Sequence, residues 1–177
     1  KDKAARIAAF EQHHYEELGT STNKLVLVKM AANLGNEGNA RVLCGTRPAI
    51  APNSKLWVIA GENNDLTQDE AIALTRQNLV DFLSKNLTKA DIEYAQSLID
   101  NCEASWPELA KVNIDSKGYA PEKVRATPVA FTLTNGEVVE MRGGYIPLVR
   151  DTSIDRPQSQ DVLQGTENSR YSNVATM

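Results

Sequence analysis

The chain has 177 residues, of which 41% are hydrophobic and 24% charged, and its net charge is −4. That apolar content suffices for one core, and the mild acidity supplies no general attraction to DNA, RNA or anionic lipid. No stretch approaches the run of about 18 apolar residues that a membrane-spanning helix needs, and no secretory leader is visible.

The two cysteines, Cys44 and Cys102, are far apart, form no CxxC pair and have no nearby histidine. Metal and disulfide readings therefore lack their usual spacing, and buried free thiols in a reducing compartment are expected. The chain starts at Lys1 within what reads as a helix and ends at Met177 in a polar stretch. Both ends are read as cuts from a larger protein.

In chain order, residues 3–18 read as a helix carrying Ile7, Phe10, His14 and Leu18 at helical spacing and stopped by Gly19. Residues 19–23 (Gly-Thr-Ser-Thr-Asn) are turn chemistry with several helix N-cap residues. A second helix, residues 24–34, is apolar nearly all round, which places it at the centre of the core. Gly35 follows where a left-handed C-cap is wanted. Asn36 to Asn39 read as a tight corner, and Ala40 to Cys44 as a short helix ended by Gly45. Residues 45–66 form a loop whose apolar patch, Leu56-Trp57-Val58-Ile59-Ala60, is expected to dock on the core as a strand or short helix.

Thr67-Gln68-Asp69-Glu70 is a capping box. It opens a helix with Ile72, Leu79, Phe82 and Leu83 on one face, ending near Asn86. Thr88 caps the next helix, whose apolar stripe runs Ile92, Ala95, Ile99, Cys102 and Trp106. Pro107 predicts a kink or restart there, with Ser105 to Glu108 as a new capping box and Leu109 and Val112 continuing the apolar face.

Beyond Gly118 and Pro121 the period changes from 3.6 to 2. A two-residue Asn135-Gly136 loop would set Phe131 against Glu140 and Val129 against Arg142. A three-residue loop, 134–136 with a bulge at Gly136, sets Phe131 against Val139 and Val129 against Met141. The second register keeps one face apolar and is predicted. Arg142-Gly143-Gly144 breaks the strand, residues 145–149 are extended, and Pro147 confines them to an edge. From Asp151 the chain is polar, with Ile154, Val162, Leu163 and Tyr171 as its anchors.

Chemistry is sparse. His13 and His14 are adjacent, so on a helix they point about 100° apart and cannot share an ion; His13 with Glu17 lacks a third ligand. The Gly35-Asn36-Glu37-Gly38-Asn39 run lacks the Lys-Ser/Thr of a phosphate loop, and Glu37 would repel phosphate. Glu93, Asp100, Glu103 and Glu108 lie along one helix and read as its wet face, although paired carboxylates could cleave a glycosidic bond. Arg142-Gly143-Gly144 is a single RGG rather than an RNA-binding array, and reads as a bulge or a close backbone approach.

Several pieces in order, Leu34 to Asn39, Leu87-Thr88, Trp106-Pro107-Glu108, Ala120 to Val124 and Arg142 to Leu148, resemble a segment of very large phage and prophage multi-domain proteins of the polyvalent, internal-virion type. The resemblance spans roughly Ala31 to Asp151. It departs at Ile146, where the pattern usually has Tyr, and it assigns no catalytic residue.

The expectations are these. The fold is α+β and mainly α-helical, with four to five helices around a central apolar helix, a β-hairpin and an extended C-terminal edge segment. Residues 1–150 form one domain with its hairpin at 127–149, and residues 151–177 a polar extension. The chain is a non-catalytic structural or interaction module with no cofactor, no metal and no membrane span. The resemblance implies, as partners, other domains of the parent protein or other virion proteins, and a location in the virion or the host cytoplasm. The contact surface is expected at Trp57, Arg142, Gly143, Gly144, Tyr145 and Pro147. The alternatives are a carboxylate-dependent cell-wall glycan hydrolase and a nucleic-acid-binding piece, the latter using Lys111, Lys117, Lys123, Arg125 and Arg142.

Overall fold

The computed structural model describes residues 10–48, 51–62, 64–120 and 122–147. Its elements are β1 (His13–Tyr15), β2 (Thr20–Thr22), α1 (Lys24–Asn33), α2 (Glu37–Gly45), α3 (Gln68–Asn86), α4 (Lys89–Ala104), α5 (Trp106–Lys117), β3 (Val129–Thr132) and β4 (Val138–Met141). The fold is α+β and mainly helical, with two antiparallel two-stranded sheets. The chain divides into two units, Lys1–Ile146 and Pro147–Met177. The extended segment at 148–149 and the tail anchors Ile154, Val162, Leu163 and Tyr171 lie outside the described residues.

α1 is the central helix that its sequence predicts. Asn23 caps it by accepting from the Val26 amide, and Leu27, Ala31 and Ala32 are wholly buried. α3 and α4 each open with a complete capping box, Thr67 with Glu70 and Thr88 with Asp91. Leu79, Phe82 and Leu83 of α3 and Ile92, Ala95 and Ile99 of α4 turn into one core with α1.

The β3–β4 register is the predicted one, with Val129 opposite Met141 and Phe131 opposite Val139. Leu133 and Glu137 close a three-residue loop through the Leu133 amide and the Glu137 carbonyl, 2.8 Å apart. Gly136 takes φ 82°, the left-handed position of the bulge. Val129, Phe131, Val139 and Met141 are buried while Ala130, Thr132, Val138 and Glu140 are exposed. Apolar side chains thus collect on the face turned to the helices.

Five local expectations are corrected. Of the helix predicted over residues 3–18, Phe10 is helical, but from His13 the described chain is the β1–β2 hairpin, pairing His13 with Thr22 and Tyr15 with Thr20; residues 3–9 lie outside the description. Gly19, at φ 63°, donates to the Tyr15 and Glu16 carbonyls and closes the turn. The Glu17 carbonyl is taken by the Lys55 amide and the Ser54 hydroxyl, so tertiary bonds outweigh a helical periodicity resting on few residues. Tyr15 meets Phe82 edge-on at 5.6 Å, whereas Phe10, placed at helical spacing with Ile7, His14 and Leu18, is exposed.

The second correction is Gly35, which is not a left-handed cap; α1 ends through Leu34 in right-handed geometry. The third is α2, which starts three residues before the predicted Ala40 because Asn36 caps it by accepting from the Asn39 amide at 2.8 Å. The fourth is residues 56–60, which form neither strand nor helix. Side chains hold them instead: the Thr75 hydroxyl accepts from the Val58 amide, and Asn78 donates to the Leu56 carbonyl. The fifth is the junction at Ser105, which makes no side-chain cap to α5; its hydroxyl donates back to the Asn101 carbonyl. Val112 is 61% exposed, so the apolar face does not continue along α5 as expected.

Phe131 is a wholly buried anchor of the hairpin. Phe131→Ala is expected to destabilise the chain by about 3–5 kcal/mol. Val138→Ala, on the exposed face, should change stability by less than about 0.5 kcal/mol. Urea unfolding of the two variants checks the difference.

Candidate functional site

The candidate surface residues converge on the segment after β4. Arg142, Gly143, Gly144, Tyr145 and Ile146 form no strand among the described residues, yet both glycines and Ile146 are buried. A buried irregular segment must find partners for each N–H and C=O. Here side chains and one turn carbonyl serve six such groups. Gln96 on α4 accepts from the Gly143 amide at 3.0 Å and donates to its carbonyl at 3.4 Å, standing in for a neighbouring strand. The Gly144 amide donates to the Gly35 carbonyl at 2.8 Å, and its carbonyl accepts from Asn36 at 3.1 Å. Glu103 accepts from the Tyr145 amide at 3.3 Å, and Asn39 donates to the Ile146 carbonyl at 2.8 Å.

The glycines at this junction answer to space. A Cβ on Gly143 would fall on the Gly35 and Thr127 carbonyl oxygens, and one on Gly35 would lie 2.8 Å from the Gly143 Cα. On Gly144 it would lie 2.6 Å from the Glu103 carboxylate and the Ile99 side chain. The Gly35 carbonyl also accepts from the Thr127 amide at 2.9 Å. The α1–α2 corner is thereby tied both to the segment entering β3 and to the segment leaving β4. We refer to this arrangement as the clasp.

Its outer side is ionic and aromatic. Arg142 reaches both Asp100 carboxylate oxygens, at 2.9 and 3.0 Å, while its side chain stays 74% exposed. Lys123 pairs with Glu103 at 3.1 Å. Tyr145 meets Trp106 edge-on at 6.1 Å, and burial, with the Cys102 thiol second, raises its phenol above the ordinary range. At the other end of the hairpin, Lys89 binds Glu137 at 2.7 Å; that hydrogen bond is the main reason the Glu137 carboxyl lies below its usual range and the Lys89 amine above.

Of the predicted contact residues, the structure brings Arg142, Gly143, Gly144 and Tyr145 together at the clasp. Trp57 is corrected to a core residue: it is 3% exposed and its indole N–H donates to the Leu43 carbonyl at 2.8 Å. Burial of the two glycines leaves Arg142 and the half-buried Tyr145 as the outward part of the set. Pro147 belongs to the second unit. Sequence reading missed Asn36, Asn39 and Gln96 as the residues that bind this backbone. Their only signal was polar amide side chains next to positions assigned to the core.

His13 and His14 lie on β1 and are exposed, so the helical His13–Glu17 spacing does not arise. Among the described residues no group of three or more His, Cys, Asp or Glu side chains is placed to hold a metal ion. Burial pushes the Cys44 thiol up to about 11, and it also raises Cys102.

Two shallow grooves of about 340 and 280 Å3 lie between α3 and β3. Gln77, Val80 and Ala130 line both. Of their lining residues a single one, Asp81, is a carboxylate, and Gln77 binds it at 2.9 Å. Compared with protein families, with curated proteins and with solved structures, the chain gives no match.

Two outcomes are expected here. Gly143→Ala, which meets backbone oxygens at φ 76°, should destabilise the chain by more than about 3 kcal/mol, whereas Gly118→Ala, also at positive φ but in open space, should lose about 1 kcal/mol; calorimetry separates them. The raised Cys44 value favours the neutral thiol in the folded chain. Its contribution to stability is therefore complete below the unfolded value near 9 and lost as pH rises through about 11. At pH 8 Cys44 should react with a thiol reagent only at the unfolding rate, and the less buried Cys102 faster, as mass-resolved labelling would show.

Proposed function

We propose that this chain is a non-catalytic structural and interaction module of a larger, phage-derived protein. The observation that carries the reading is the occupation of its polar residues. The side chains that could have formed a reactive cluster, Asn36, Asn39, Gln96, Asp100, Glu103 and Arg142, are engaged in holding the 142–146 segment. Their chemistry is spent on shape. The phage assignment draws on the ordered sequence resemblance, whose two glycine–asparagine and glycine–glycine runs are the two halves of the clasp.

The same geometry lends the alternatives less support. A glycan hydrolase needs two carboxyls about 5–10 Å apart across a groove, and the α3–β3 grooves hold Asp81 alone. Asp100 and Glu103, two of the acids of α4, instead face Arg142 and Lys123. For nucleic-acid binding, two of the five cations invoked are these same Arg142 and Lys123, already matched to carboxylates, which weakens any attraction to phosphate.

Peptide mass spectrometry of phage particles induced from the source strain tests the reading. Peptides of this segment at stoichiometric levels in the particle are expected. Their absence from particles, together with presence in induced cells, would contradict the virion role. In parallel, Asp100→Asn with Glu103→Gln should lower the unfolding midpoint by several degrees, since each substitution weakens a charged hydrogen bond at the clasp. Loss of a cell-wall-degrading activity without loss of stability would instead favour the hydrolase.

A further inference from the structure

We infer that Asn135 is a self-modification site: the main-chain nitrogen of Gly136 displaces its side-chain amide and converts the β3–β4 loop irreversibly to an aspartyl or isoaspartyl form, the second of which opens the end of the hairpin. The inference is independent of the interaction-module reading above and assigns chemistry to a residue that the clasp does not use.

The chain has one asparagine followed by glycine, Asn135-Gly136. A side chain on the following residue screens that residue's nitrogen from the asparagine carboxamide, and glycine has none. A Cβ on Gly136 would meet nothing within 4 Å, so the nitrogen stands in open space, and Asn135 is itself exposed. The Asn135 Oδ1 accepts from the Glu137 amide at 3.0 Å, which draws electrons from the carboxamide carbon. The reaction balances with water as its one co-reactant. The Gly136 nitrogen gives up its proton and bonds to the side-chain carbonyl carbon of Asn135. The carbon–nitrogen bond of the side-chain amide breaks, and that nitrogen takes up a proton and leaves as ammonia. A five-membered succinimide remains, and water opens it at either carbonyl. One opening leaves an aspartyl residue. The other leaves an isoaspartyl residue, whose main chain runs through the former side chain.

The closed loop restrains both reacting groups. The Gly136 N–H is donated to the Leu133 carbonyl at 2.9 Å, and the Glu137 amide holds the Asn135 Oδ1. Attack therefore waits on release of these bonds at the exposed end of a two-stranded hairpin, a local opening rather than global unfolding. The products act on the same place. The loop is three residues long, and the Leu133 amide closes it on the Glu137 carbonyl at 2.8 Å. An isoaspartyl link adds one main-chain carbon, so a turn matched in length to its strands no longer fits. Either product also adds a carboxylate two residues before Glu137, whose own carboxylate holds Lys89 at the start of α4 at 2.7 Å. The clasp lies at the other end of the hairpin and shares no bond with this loop.

The experiment incubates the folded full chain at pH 6 and at pH 8. Peptide mass spectrometry with electron-transfer fragmentation follows each asparagine and separates aspartyl from isoaspartyl products. A mass gain of one dalton should arise at Asn135 at least tenfold faster than at any other asparagine, including Asn53 and Asn168, which precede serine. It should be faster at pH 8 than at pH 6, because the attacking nitrogen must lose its proton, and Asn135→Gln should slow it at least tenfold. The isoaspartyl chain, isolated by chromatography, should exchange its Leu133 amide at least tenfold faster than the starting chain, while the Gly144 amide keeps its rate. Asn135→Asp, which adds the charge without the extra main-chain carbon, should leave the Leu133 rate nearly unchanged. Faster conversion at another asparagine would overturn the site. So would a folded chain unaltered at Asn135 by the time a urea-unfolded sample has half converted. An isoaspartyl chain whose Leu133 amide exchanges as before would overturn the opening of the hairpin.

Discussion

The carbonyl of Gly35 is the point on which the tertiary arrangement turns. It accepts two backbone amides, Thr127 ahead of β3 and Gly144 behind β4, so one oxygen gathers both ends of the hairpin onto the α1–α2 corner. This is feasible only because Gly35 and Gly143 lack side chains where their backbones touch. Backbone polar groups in a buried, irregular segment are costly to leave unmatched, at about 1–3 kcal/mol each. The neighbouring amide side chains of Asn36, Asn39 and Gln96 therefore act as substitute strands. The hydrophobic core drives collapse, but it is directionless; the clasp selects where the hairpin sits on it.

The same device recurs at residues 56–58, where Thr75, Asn78 and Leu43 supply the partners of an irregular apolar stretch. In both places α-helices present polar side chains inward to bind backbone rather than a ligand. This reliance on side-chain amides explains how a chain with short strands orders long connections.

Periodic features were legible in the sequence. The apolar α1, both capping boxes, the α4 stripe and the three-residue loop of the β3–β4 hairpin follow from spacing and side-chain chemistry acting within a few residues. What was not legible depended on partners distant in sequence. The Gly35 run looked like a helix cap because glycine after an apolar helix usually is one; its reason for being glycine lies 108 positions away, at Gly143. Phe10 and His14 at i and i+4 resembled one helix face; Phe10 is helical, but His14 lies on β1, where the turn at Gly19 and the bonds from Ser54 and Lys55 to Glu17 favour a hairpin. Trp57 was expected both in a patch that docks on the core and in the contact surface; its burial fits the first, and its Leu43 partner came from a different element. Of the contact surface, the grouping of Arg142 with Tyr145 was visible as a contiguous motif. The α3–β3 groove was not, since no sequence pattern joins Gln77 and Val80 to Ala130.

The measurement that bears most directly on the clasp is native-state hydrogen exchange at the Gly144 amide, read against that of Gly136 in the exposed hairpin loop. If the Gly35 carbonyl anchors the hairpin, Gly144 exchanges only through global unfolding, and its opening free energy equals the stability found by denaturation. Exchange of Gly144 by local fraying, with an opening free energy near that of Gly136, would contradict the account and leave hydrophobic packing alone to place the hairpin.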